Sequence, residues 1–141
     1  MQDASFHYLL MATHTTLQKK LLAQLKDTGL TLGQPKVLDY LKEHDGANQT
    51  EIARGCHIEA ASLTSILNRM EEKGIIERRM LNGNRRSLHV FLTDKGRKLG
   101  LQVDRSFFDL EAQGFAGIDD TERQQFIDTL LKIYHNYCQE E

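Results

Sequence analysis

The sequence predicts a mainly helical fold carrying one small β-hairpin. Apolar residues recur at helical spacing over most of the 141 residues. Several of these runs are preceded by a helix-start signature, a polar capping residue followed three positions on by Glu or Gln. The helical pattern gives way to strand-like alternation around Asn82-Gly83, a strong hairpin-turn dipeptide.

In chain order, a first helix is expected from about Ser5 to Asp27. Phe6, Leu9, Leu10, Leu17, Leu21 and Leu25 lie on its repeat, and Gly29 is placed to end it. Thr31 and Gln34 have capping-box spacing for a second helix, Leu32 to Glu43, and Pro35 falls near its start, where a missing N–H matters least. Asp45-Gly46 marks a turn, and Asn48 with Glu51 opens a short helix to about Gly55. The next helix runs from about Ala60 to Lys73, with Leu63, Ile66, Leu67 and Met70 as its core stripe and Gly74 as its stop.

Ile75 to Met80 reads as a strand, and its return strand points Leu88, Val90 and Leu92 inward and His89 and Phe91 outward. Thr93 caps a long helix through Leu101 and Phe108 to about Gln113, which Gly114 and Gly117 break. Asp119 with Glu122 caps a last helix striped by Phe126, Leu130, Ile133 and Tyr137.

Helix, turn, helix and hairpin in this order make a winged helix-turn-helix. The helix over 60–73 reads as its recognition element. Away from its apolar stripe it carries Ala61, Ser62, Thr64, Ser65, Asn68 and Arg69, which are small or hydrogen-bonding. Such groups suit close approach to base edges in a major groove better than long charged side chains do. Ala61, Ser62, Ser65 and Asn68 would face bases, with Thr64 and Arg69 flanking. Arg85 and Arg86 at the hairpin tip would reach a minor groove, and Thr50, at the start of the preceding helix, would contact phosphate.

Charge supports this polarity. The net charge is −2, but residues 54–98 hold ten Lys/Arg against five Asp/Glu (+5), while the rest holds eight against fifteen (−7). A basic module on an acidic scaffold offers one face to phosphate. A composition of 40% hydrophobic and 27% charged residues is that of an ordinary soluble domain. No apolar run approaches the ~18 residues of a membrane span. No signal-peptide pattern opens the chain, so a cytoplasmic location is expected.

The first and last helices carry more apolar surface than the winged unit can cover. They are expected to form an intertwined interface with a second copy of the chain, the alternative being that they fold back within one chain. Cys56 and Cys138 match no zinc spacing. Cys56 falls where a small buried residue is expected, while Cys138 lies near the terminus. His135 with Cys138, and His7 with His14, are at most half-sites for a metal, so no cofactor is expected.

The residues then resemble a known family. Leu30-Thr31-Leu32 with Gln34, Val37-Leu38 and Leu41, Thr50-Glu51-Ile52-Ala53, and Leu67 with Arg69-Met70-Glu71-Glu72-Lys73-Gly74-Ile75-Ile76 are similar to the MarR family. So are Arg85-Arg86-Ser87, leading to Val90, Leu92, Thr93 and Gly96, and the acidic run Asp119-Asp120-Thr121-Glu122. The resemblance implies one MarR-type domain over 1–141, with a winged-helix part at about 30–98 and dimerisation helices at about 1–28 and 99–141. It implies a homodimeric transcriptional regulator, usually a repressor, on a near-palindromic operator in double-stranded DNA.

The resemblance further implies release by a small aromatic or anionic ligand bound between the dimerisation helices and the winged unit. The pocket residues are not identified by the sequence, with Phe6, Tyr8 and Leu10 as guesses. Two positions depart from the family pattern. Asn84 replaces an aspartate that orients the wing-tip arginine, which leaves only a weaker neutral hydrogen bond for that task. Glu59 stands where a Ser/Asp cap is usual. Rival readings are a winged helix used as a protein-interaction module, or a redox- or metal-sensing regulator of the same fold. An enzyme is not expected, because the polar positions are already explained by DNA.

Overall fold

The computed structural model describes residues 4–81, 83 and 88–139. Its elements are α1 (Phe6–Gln24), α2 (Gln34–Glu43), α3 (Gln49–Cys56), α4 (Ala60–Glu72), β1 (Ile76–Met80), β2 (Leu88–Leu92), α5 (Asp94–Gly114) and α6 (Asp120–Cys138). This is the expected mainly helical class with an antiparallel hairpin wing. The chain packs as two compact units, Met1–Phe108 and Asp109–Glu141.

The core of the first unit gathers the predicted inward faces. Val37, Leu38 and Leu41 of α2, Ile52 and Cys56 of α3, and Leu63, Leu67 and Met70 of α4 are buried with Ile75, Ile76, Val90, Leu92 and Val103. In the hairpin Arg78 stands opposite Val90 and Ile76 opposite Leu92. Leu88 is only half-buried, so the inward face of β2 narrows towards the tip. The segment before α3 also joins β2: Gly46 N–H donates to Val90 O at 2.8 Å and Val90 N–H to Ala47 O at 2.9 Å. The wing is therefore hydrogen-bonded to the start of the helix-turn-helix.

Several boundaries differ from expectation, each for a local reason. The first α-helix stops at Gln24 and tightens into a 3₁₀ turn over Lys26–Thr28. Gly29, at φ 78°, closes that turn instead of the α-helix itself. The second helix begins at Gln34, not Leu32, because Gly33 takes φ 88° immediately before it. Half of the expected capping box is present, Gln34 Oε1 accepting from Thr31 N–H at 3.1 Å. A Cβ on Gly33 would stand 2.5 Å from Ile66 Cδ1, so the start of α2 runs close against α4.

The Asn48–Glu51 box is complete, with both hydrogen bonds made. Its helix runs past Gly55 to Cys56, and the left-handed residue is His57 (φ 54°). Gly55 is needed for a different reason: Tyr40 lies on it, with Cε1 2.2 Å from where a Cβ would sit.

In the second unit Asp119 caps α6, accepting from Glu122 N–H at 2.8 Å. Arg123 lies 4.3 Å over the Phe115 ring and pairs with Glu111 at 3.3 Å. No residue of α6 is buried, and on its stripe Phe126 and Tyr137 are 53% and 72% exposed. The first helix is less striped than expected. Phe6, Tyr8, Leu9, Leu10 and Met11 follow one another around the whole helix and all are exposed, whereas Leu21 is its one buried residue.

Candidate nucleic-acid interface

Burial of Leu63, Leu67 and Met70 fixes which way α4 faces. Helical periodicity then puts Ala61, Ser65 and Asn68 along the opposite ridge, with Ser62 and Arg69 on one flank and Thr64 on the flank nearer the wing. All six are exposed. Glu59 sits at the N-cap without a side-chain cap bond, as its departure from the usual Ser/Asp implies. The Thr64 hydroxyl donates to Ala60 O at 3.1 Å, so it is turned back on its own helix. Thr50 is exposed in the first turn of α3. The wing-tip residues Asn84, Arg85 and Arg86, and Asn82 of the turn dipeptide, lie outside the described residues.

Sequence reasoning missed the residue that organises this face. Arg78 of β1 reaches back to the two helices. Its guanidinium pairs with Glu71 Oε1 at 2.8 Å, donates to Asn68 Oδ1 at 2.7 Å, and donates to Gln49 Oε1 at 3.3 Å. The Arg78 backbone N–H also donates to Glu71 Oε2 at 3.2 Å. One planar fork thus ties α3, α4 and the wing together, a geometry a lysine ammonium cannot copy. The hydrogen bond from Arg78 holds the Glu71 carboxyl below its ordinary value of 4.5.

A carboxyl pulled down in the folded state contributes stability above its unfolded value, and loses it as pH falls through the lowered one. Glu71→Gln is therefore expected to destabilise the protein most above pH 4.5, with the gap to wild type closing on further acidification. Urea unfolding over a pH series measures that gap.

The basic excess of residues 54–98 is partly spent inside the fold. Arg78 pairs with Glu71, Arg79 with Glu77, and Arg97 with Asp94. Lys73 and Lys95 donate to the carbonyls of Gly29 and Lys73. Arg54 of α3 and Arg69 on the flank of the α4 ridge are exposed.

Residues 30–88 match the model of the MarR family. They form a MarR-family domain. The chain is 27% identical over 131 residues to the transcriptional repressor Rv2887 of Mycobacterium tuberculosis, covering 93% of this chain and 94% of that one. Its fold is that of a MarR-family regulator of Listeria monocytogenes complexed with 26mer DNA. There the TM-score is 0.91 and the identity 21%, over 99% of this chain and 92% of the other. CouR of Rhodococcus jostii, bound to p-coumaroyl-CoA, superposes with TM-score 0.80 at 24% identity, over 94% of this chain and 95% of the other.

An apolar cavity of about 100 Å³ lies between α1, the start of α2 and Phe107. Leu17, Leu21 and Leu22 of α1 wall it with Pro35 of α2 and Phe107 of α5, and His14 and Lys36 are also among its lining residues. Phe6, Tyr8 and Leu10 do not line it; they are exposed near the N-terminal end of α1, away from the buried Leu21 turn.

Cys56 is buried and donates to Lys36 O at 3.6 Å, and burial pushes its thiol up to about 11. At neutral pH it stays protonated, which suits a core residue and not a redox sensor. Cys138 is a half-buried free thiol. Among the described residues no three His, Cys, Asp or Glu are placed to share a metal ion, and no helix is long and apolar enough to cross a membrane.

Proposed function

We propose that this chain is a homodimeric, sequence-specific DNA-binding regulator of transcription, a repressor released from a near-palindromic operator by a small ligand. The observation that carries the reading is the α4 ridge: Ala61, Ser65 and Asn68 are exposed, short and polar or small, on a helix whose other side is locked into the core. A surface of that kind can approach base edges, while Thr50, Arg69, Asn84, Arg85 and Arg86 supply phosphate and minor-groove contacts. The DNA-bound Listeria relative and the repressor Rv2887 support it.

The uncovered apolar surfaces of α1 and α6 support a two-fold dimer in which residues 1–28 and 99–141 dimerise and residues 30–98 read DNA. The cavity suits a single-ring aromatic acid, its ring against the leucines and Phe107 and its charge toward Lys36 or His14. On this reading the protein works in the cytoplasm and catalyses no reaction.

Selection from random duplex DNA tests the proposal. The expected result is an enriched palindrome whose half-sites are about one helical turn, roughly 10 bp, apart. A pool that stays random would favour the protein-interaction module instead.

A further inference from the structure

Asn68 is the one amide on the recognition ridge, and its two ends are not equivalent in this fold. Arginine carries only donors, so the Asn68 atom that meets the Arg78 guanidinium at 2.7 Å must be the carbonyl oxygen. Arg78 is itself held in place. Its side chain is 16% exposed, with Glu71 taking its Nε at 3.3 Å as well as a terminal nitrogen, and Gln49 taking the other terminal nitrogen. The Asn68 oxygen is therefore held on Arg78 before DNA arrives, with one of its two lone pairs taken, and its NH₂ group is the end free of that hold.

A free asparagine recognises adenine with both ends, accepting from N6–H₂ and donating to N7. That pairing is disfavoured for Asn68, because turning its oxygen to the base would strain or break the bond to Arg78. A lone NH₂ group is served best by guanine, whose O6 and N7 are adjacent acceptors, and it is repelled by the amino donor of cytosine. Resting on the proposed docking of α4 in a major groove, we infer that Arg78 sets the base specificity of Asn68, turning an adenine reader into a guanine reader. Arg78 is then a positioning residue for recognition that touches no base itself.

The test is selection from random duplexes with wild type, Asn68→Ala, Arg78→Met and Arg78→Lys. The position read by Asn68 is the one whose preference disappears in Asn68→Ala. In wild type that position is expected to favour guanine over adenine by about tenfold, and to move to adenine in Arg78→Met, which frees the amide oxygen. Arg78→Lys keeps a cation for Glu71 but cannot fork to Asn68. It is expected to shift in the same direction, and it carries the test if Arg78→Met fails to fold.

Adenine at that position in wild type, or an unchanged preference in both folded Arg78 variants, overturns the inference. So does an enriched site with no position dependent on Asn68, which would leave DNA recognition itself standing. Absence of any enriched site for wild type overturns both.

Discussion

Gly96→Ala is expected to destabilise the winged unit by about 3 kcal/mol, at the upper end of what overpacking a core ordinarily costs. A Cβ at this position would stand 2.2 Å from the Ile75 carbonyl oxygen. That oxygen has little room to retreat. It accepts from Thr93 N–H at 3.1 Å, and Ile75 is itself buried with its N–H bonded to Met70 O at 2.9 Å. Relief requires the start of α5 to move off the end of α4, breaking the contact between the Thr93 hydroxyl and Gly74 O at 2.6 Å.

Gly100→Ala, one turn further along α5, is the control, since nothing lies within 4 Å of its Cβ position. It is expected to stabilise by roughly 0.5–1 kcal/mol through helix propensity. Urea unfolding of both variants at one fixed protein concentration measures the difference, the concentration mattering for a dimer. Equal stability of Gly96→Ala and wild type would contradict the packing described.

The second large effect concerns binding. Replacing Arg85 and Arg86 together by alanine is expected to weaken DNA affinity on the order of a hundredfold, similarly across sequences, and to reduce the slope of log affinity against log salt by about 2. Arginines at a wing tip act on phosphates and on the negative potential of a narrow minor groove, neither of which is specific to one sequence. Binding titrations of the double variant across a salt series measure both quantities. Retained affinity would place the wing away from DNA.

What was legible in the sequence was local. Capping boxes join residues three apart, so Asn48–Glu51 and the Asp119 cap could be read directly. The core stripe of α4 follows from one helix's periodicity, and Gly74 at φ 75° from the need to stop it. What was missed depends on pairs that only folding brings together. Arg78 looked like one basic residue among ten, because its partners Glu71, Asn68 and Gln49 lie on two other elements. Gly55 marked only the approximate end of a short helix, because nothing in its neighbourhood announces the Tyr40 ring.

The cavity was hidden for the same reason. Its leucines carry the spacing of any core stripe, and only the meeting of α1, α2 and Phe107 leaves a gap between them. The apolar end of α1 was read as part of a stripe, although Phe6, Tyr8, Leu9, Leu10 and Met11 leave little of the circumference polar.

The most direct test of the central claim is fluorescence anisotropy with two labelled duplexes, the selected palindrome and a scrambled sequence of the same composition, over a salt series. A sequence-specific dimer predicts affinity for the palindrome at least about 10³-fold tighter at physiological salt, with steep salt dependence for both. Equal affinity for the two duplexes, or no binding to either, would contradict it.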